Sequence, residues 1–250
     1  MAPDPPEQPS HPGNPPPAVC LLSGGMDSAV CLAEAKAEGF APHALSFRYG
    51  QRHAIELEAA GRVVSELGAA EHRIVDLDLS GLSRSSLVGA AEVEKDRPEE
   101  DLSSRVPNTY VPARNTVFLA VALGWAEGLG ATDLYLGANA VDYSGYPDCR
   151  PAFLAAFEEL ARCATVAGTE HGQRFRVRAP LLDLSKAQIV ERAEQLGVDL
   201  GWTHTCYDPV VESAERVLAC GRCDACRLRL AGFAAAGRED PLPYVPSTPR

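Results

Sequence analysis

Six residues near the start of the chain, Ser23-Gly24-Gly25-Met26-Asp27-Ser28, are of the types that handle a phosphate. Two adjacent glycines let the backbone turn tightly and bring its N–H groups close to an anion, and the serines add hydroxyl donors. The apolar run from Val19 to Leu22 reads as a short buried strand, and helical periodicity from Ala29 to Ala37 follows. Strand, glycine turn and helix start together make an anion site. Asp27 repels phosphate unless a divalent cation such as Mg²⁺ lies between the two. The plainer reading is a serine- and glycine-rich turn that caps a helix. The six residues are not a Walker loop, which needs Gly-x-x-x-x-Gly-Lys-Ser/Thr, and they lack the third glycine of the dinucleotide fingerprint.

Four cysteines near the other end, Cys206, Cys220, Cys223 and Cys226, match the ligand count of a closed tetrahedral zinc site, with two overlapping Cys-x-x-Cys steps. A redox pair would leave two of them unexplained, and an iron–sulfur cluster is the other alternative. Cys20, Cys31 and Cys163 sit in apolar or helical settings and read as packing residues. Lys186 opens a late helix and is a candidate ligand for a leaving pyrophosphate, or else a solvated helix-end charge. Arg114, beside Asn115, reads as an active-site cation or a surface charge. His53 and His204 read as structural or exposed residues.

The elements that must position these groups alternate. Residues 42–47, 72–77, 133–138 and 175–179 read as further strands after the first, separated by helices over 55–67, 115–129 and 151–166. That order implies an α/β fold with a parallel five-stranded sheet, right-handed crossovers and helices on both faces. Ser185 is the expected N-cap of a helix starting at Lys186, and a last helix runs through Phe233. The expected division is a proline-rich disordered tail over 1–17, a nucleotide-binding domain over 18–200, a small zinc-binding helical segment over 201–236 and a second tail over 237–250. The polar stretch from Ser80 to Asp101 is expected to be a lid or disordered. The fourth strand ends in a polar and aromatic block from Asn139 to Arg150, which marks a site wall.

The Ser-Gly-Gly-x-Asp-Ser pattern resembles the pyrophosphate loop of the N-type ATP pyrophosphatases, which have an adenine-nucleotide alpha-hydrolase-like sheet. More of the chain resembles one family. Phe47-x-Tyr49-Gly50-Gln51-Arg52-His53-x-x-Glu56-Leu57, Val111-Pro112-x-Arg114-Asn115, the block Asn139-Ala140-Val141-Asp142-Tyr143-Ser144-Gly145-Tyr146-Pro147-Asp148-Cys149-Arg150, the Leu184-Ser185-Lys186 stretch and the cysteine cluster are together similar to 7-cyano-7-deazaguanine synthase. That resemblance implies an enzyme converting 7-carboxy-7-deazaguanine, ammonia and ATP, through an adenylated carboxylate and an amide, into the nitrile precursor of queuosine. It implies ATP held by Leu22, Ser23, Gly24, Gly25, Met26, Asp27 and Ser28. The catalytic roles fall to Asp27, Lys186 and Arg114. Asp142, Tyr146, Asp148 and Arg150 would read the deazapurine ring. One structural Zn²⁺ per subunit, Mg²⁺ with ATP and a homodimer are implied as well. The gap from Cys206 to Cys220 is longer than the family's usual one, and a loop of that kind adds little closure entropy.

The chain has 250 residues, 46% of them hydrophobic, and a formal net charge of −11. No apolar run approaches the roughly 20 residues that cross a bilayer. The first residues have neither the basic region nor the apolar stretch of a secretory signal, so a cytoplasmic location is expected. The acidic balance gives no general attraction to nucleic acid, which argues against the rival reading of a tRNA-modifying pyrophosphatase of the thiolation or lysidine type. A non-catalytic zinc-containing nucleotide-binding module is the other rival. Intact Asp27, Lys186 and Arg114 stand against it.

Overall fold

The computed structural model describes residues 13–51, 53, 55–98, 105–139, 146–213 and 216–246. Five strands form one parallel sheet: β1 (Pro17–Leu21), β2 (Ala41–Arg48), β3 (Glu71–Asp76), β4 (Asp133–Tyr135) and β5 (Arg176–Arg178). Their spatial order is β3-β2-β1-β4-β5. The strands lie where alternating hydrophobicity puts them, with ends differing by one to three residues. Pro17, expected in the tail, already pairs with Ala41.

The period-2 geometry of β1 sorts its side chains between two cores. Val19 and Leu21 face α3 (Arg114–Leu129) and α4 (Pro151–Ala164), with Leu119, Leu123, Leu154 and Phe157 among the buried partners. Ala18, Cys20 and Leu22 face the other way. They pack with α1 (Met26–Ala37), α2 (Ile55–Leu67) and a late helix, contributing Val30, Leu32, Val63, Ile189 and Val190. Helices therefore cover both faces, as the strand–helix alternation requires. A short turn, α5 (Val166–Thr169), follows α4, and α6 (Lys186–Gln195) follows β5. Ser185 caps α6 in a full capping box: its hydroxyl accepts from the Gln188 N–H, and the Gln188 side chain accepts from the Ser185 N–H.

The C-terminal part is not a separate unit. A hairpin, β6 (Val210–Ser213) with β7 (Arg216–Leu218), occupies the long gap between the first two clustered cysteines. The final helix, α7 (Asp224–Ala235), places Phe233 in the same core as β1 and α1. Residues 237–246, expected as a tail, are tied in. Val245 donates to the Ala219 carbonyl at 2.9 Å, and Asp240 forms a two-pronged pair with Arg229 at 2.8 and 3.0 Å. Those two side chains are only 1% and 3% exposed, so the pair is fully desolvated and held by its geometry.

The described part of the 80–101 stretch is also docked. Leu87, Val88 and Val93 are buried, Arg97 pairs with Asp224, and Lys95 reaches Asp208 at 2.6 Å. Residues 99–104 lie outside the described residues. Cys20 and Cys31 are buried as expected, whereas Cys163 is exposed on α4, a helical position on the solvent side. No helix among the described residues is long and apolar enough to cross a membrane.

Candidate functional site

The strand order fixes where a ligand can enter. From β1 the chain winds outward through β2 to β3, then returns to the opposite side of β1 for β4 and β5. The loops after β1 and β4 diverge at this reversal, which is where open parallel sheets leave a crevice at their carboxyl ends. A cavity of about 220 Å³ occupies it.

The loop after β1 forms one wall. Gly24 sits at φ +85°, and a Cβ there would lie 2.2 Å from the Glu56 carbonyl oxygen, so only glycine fits. Gly24 thus faces α2 rather than the cavity, while Leu22, Ser23, Gly25, Met26, Asp27 and Ser28 line it. The Ser28 hydroxyl donates to the Gly25 carbonyl at 3.0 Å, accepts from the Ser23 N–H at 3.2 Å and lies 3.1 Å from the Ser23 hydroxyl. No side chain caps the first turn of α1, which leaves its amide donors directed at the cavity.

Asp27 and Lys186 meet across the site. Lys186 Nζ donates to Asp27 Oδ2 at 2.6 Å, and Asn139 Nδ2 donates to the same oxygen at 3.3 Å. The two charged side chains are 18% and 11% exposed. Asp27 Oδ1 is buried with no hydrogen-bond partner among the described residues. An orphaned buried carboxylate oxygen beside phosphate donors fits a hard divalent cation.

Lys186 is held from behind by the C-terminal segment. A Cβ on Gly232 of α7 would come within 2.7 Å of Lys186 Cβ, so the two helices touch at that point. The same segment reaches the loop after β1: the His204 N–H donates to the Gly24 carbonyl at 2.8 Å. Thr205, Tyr207 and Arg229 also line the cavity. Burial holds the His204 imidazole down at about 4, helped by Arg229 and Arg62, so the ring is neutral.

Arg114 enters at the start of α3, after Ala113 in the left-handed region at φ 55°. Such a conformation is uncommon for a residue with a Cβ and aims the arginine inward. Its guanidinium carbon lies 5.8 Å from the Tyr49 ring centroid, and Nη1 donates to the Tyr49 hydroxyl at 3.5 Å. Phe47 and Phe118 stack at 4.0 Å beside them. Burial raises the Tyr49 phenol to about 12, with the Glu56 charge adding to the effect.

The block after β4 divides. Asp142 and the rest of 140–145 lie outside the described residues. Tyr146 lines the cavity, 5.8 Å from Tyr110 ring to ring. Asp148 also borders it, with its carboxylate on the start of α3, where Oδ2 accepts from the Asn115 N–H at 3.0 Å. Arg150 is exposed at the N-cap of α4 and does not line the cavity. Sequence reasoning assigned no role to Glu56, whose carboxyl is pushed up to about 7 by burial, with Arg114 working in the opposite direction. Its place in the Tyr49–Leu57 run was the available signal.

The four clustered cysteines converge below this wall. Their sulfurs all lie within 4.8 Å of one another, and all four residues are buried. Backbone N–H groups of Cys220 and Cys223 donate to Cys206 Sγ and Cys220 Sγ at 3.2 and 3.3 Å, which favours the thiolate form. The set fits one tetrahedral metal ion and has no room for several irons.

The profile of the family described as queuosine biosynthesis protein QueC matches residues 17–237. A protein named 7-cyano-7-deazaguanine synthase from Syntrophotalea carbinolica is 57% identical over 91% of this chain and 96% of its own length. One of the same name from Pelobacter propionicus is 56% identical over 91% and 97%. Among solved structures, an NMN synthetase from Francisella tularensis aligns with a TM-score of 0.45 at 15% identity, covering 77% of this chain and 66% of that one.

Proposed function

Because the chain belongs to the QueC family of queuosine biosynthesis proteins, we propose that it is an ATP-dependent carbon–nitrogen ligase that turns 7-carboxy-7-deazaguanine and ammonia into 7-cyano-7-deazaguanine. The observation that carries the reading is the cavity at the strand reversal. There a phosphate loop, the Asp27–Lys186 pair and an aromatic wall with Arg114 face one space.

A carboxylate resists ammonia because its leaving group would be oxide. Its oxygen therefore attacks the α-phosphorus of ATP, pyrophosphate departs, and an acyl adenylate results. Ammonia attacks the carbonyl carbon and AMP leaves, giving the amide. A second ATP activates the amide oxygen in the same way, and loss of AMP leaves the nitrile.

The protein's part is positioning and charge neutralisation. The α1 amides and the Ser23 and Ser28 hydroxyls hold the departing pyrophosphate, and Lys186 meets its developing charge. Asp27 Oδ1 would hold Mg²⁺, which when bound would offset the charge of the phosphates. Tyr146, Tyr110, Phe118 and Tyr49 offer faces against which a flat deazapurine packs. Asp148 acts one step back, by fixing the end of α3 that carries Arg114. Asp142 and Arg150 belong to the same proposal through the block they share with Tyr146. Cys206, Cys220, Cys223 and Cys226 would hold one Zn²⁺ with no open position, serving the fold.

The test is direct. Purified protein with Mg²⁺, ATP and ammonium should form the nitrile from 7-carboxy-7-deazaguanine and release AMP and pyrophosphate. Release of ADP and phosphate would rule out activation at the α-phosphorus. Indifference to the carboxylate, with AMP release stimulated by unmodified tRNA, would move the chain to the tRNA-modifying reading.

A further inference from the structure

Beside the main cavity lies a side chamber of about 10 Å³, room for the centre of one water-sized molecule. Glu56 lines both spaces, as do Tyr49, Gln51 and Tyr207. His53, the apolar Leu87 and Cys206, one of the four clustered cysteines, complete the lining of the chamber. The Gln51 amide is committed at both ends: its oxygen accepts from the Tyr49 N–H at 2.7 Å, and its nitrogen donates to the Phe47 carbonyl at 2.9 Å. No hydrogen bond to the Glu56 carboxylate is made among the described residues, although Arg114 faces it from the main cavity and Tyr49 from the end of β2. The chamber therefore offers a carboxylate, a phenol oxygen, an imidazole and the Cys206 sulfur to a guest too small to be anything but a water or a water-sized ion.

We propose that this chamber is the ammonia site, taking one ammonium ion with the Glu56 carboxylate as its counter-ion and proton acceptor. The inference rests on the reading above, in which an activated carboxylate awaits ammonia. Ammonium has four donors and no acceptor, which suits walls rich in acceptors and leaves none of its protons facing a fixed donor. It is also the dominant form of ammonia at neutral pH and cannot attack until it loses a proton. In the step, an N–H bond of ammonium breaks and its proton passes to a Glu56 oxygen. The freed lone pair forms the C–N bond at the acyl carbon, and the C–O bond to AMP breaks with its electrons. The adduct's surplus proton then goes to solvent. Glu56 stands at the junction of the two spaces, so guest and proton acceptor meet where the acyl carbon is exposed. Leu87, from the docked 80–98 stretch, closes the chamber with an apolar surface.

Two variants test it. Glu56→Gln should raise the KM for ammonium at least about tenfold more than the KM for ATP, the loss of one charge-assisted partner. Hydroxylamine, uncharged at neutral pH, should restore acyl transfer in this variant, read as hydroxamate. Leu87→Trp fills the chamber and should raise the ammonium KM selectively. An unchanged ammonium KM in either variant, or a rise matched by that for ATP, would overturn the proposal. So would failure of hydroxylamine to restore transfer. Carboxylate-dependent exchange of labelled pyrophosphate into ATP by the unaltered enzyme keeps the two readings apart. If that exchange is absent, the proposed activity itself fails; if it is present and ammonium dependence does not move, only the chamber fails.

Discussion

A single methyl group added to Gly232 should slow the enzyme more than it unfolds it. The new Cβ of Gly232→Ala would sit 2.7 Å from Lys186 Cβ and 3.1 and 3.2 Å from the Lys186 carbonyl carbon and oxygen. Nothing there is the free end of a flexible side chain, so α6 and α7 must move apart by a few tenths of an ångström or more. Overpacking of this kind costs about 1–3 kcal/mol. Alanine in place of glycine inside a helix returns about 1 kcal/mol of that. The two together leave roughly 0–2 kcal/mol, a fall in Tm of no more than about 8 °C for a chain of this size. Activity should respond more strongly, because the displaced residue carries the charge 2.6 Å from Asp27, and misplacement by about an ångström costs on the order of a hundredfold. The assay is nitrile formation at saturating ATP beside a thermal melt on the same metal-loaded protein. Gly124→Ala in α3, where a Cβ meets nothing within 4 Å, is the control and should gain stability with unchanged kcat. A Gly232→Ala enzyme with native kcat would refute the argument that α7 sets the position of Lys186.

Asp27→Asn keeps the shape of the loop and removes its charge; nitrile formation should fall at least about a hundredfold, and a near-normal rate would take Asp27 out of the chemistry. Elemental analysis should find one zinc per chain, and Cys223→Ser should lower both metal content and thermal stability; iron, or full metal content in the variant, would refute the assignment. Glu56→Gln should be more stable than the unaltered chain at pH 8, by up to about 3 kcal/mol for a carboxyl raised from 4.5 to about 7. The sign follows from proton binding: between those values the folded state holds the proton more tightly than the unfolded one. Glu56 therefore carries no penalty below pH 4.5, and the penalty is complete above pH 7. Melts from pH 4.5 to 8.5 should show the gap between the two proteins widening up to about pH 7 and level above it; a gap constant over the whole range would remove the desolvation argument.

The sheet was legible because its strands carry their own signal. The apolar run Val19–Leu22 parts its side chains between two cores, and β2 and β4 divide theirs in the same way. The phosphate loop and the cysteine cluster were legible because their chemistry is local in sequence, within six and twenty-one residues. Relations across the chain were not. Arg97 and Asp224 are 127 positions apart, and nothing in either neighbourhood announces the other, so the 80–101 stretch read as a lid or disordered, whereas its described part is docked. The Arg229–Asp240 pair made a packed segment out of what composition marked as a tail. Asp148 borders the cavity as a ligand-reading carboxylate would, and its second contact, to the first turn of α3, depends on a helix start 33 residues earlier. Glu56 stood in the Tyr49–Leu57 run without a role for a different reason: its raised pKa comes from desolvation by its surroundings, a collective property no motif encodes.

The hydrogen bond from the His204 N–H to the Gly24 carbonyl has a thermodynamic consequence. His204 stands two positions before Cys206, and Gly24 lies inside the Ser23–Ser28 loop, so one backbone contact joins the proposed metal and nucleotide sites. Whatever free energy metal binding contributes to the order of that loop, nucleotide binding must return to the metal, because linkage between two binding events is reciprocal. The chain then behaves as a paired reservoir: removal of the metal by a chelator should weaken ATP binding, and saturating ATP should slow loss of the metal by the same coupling factor.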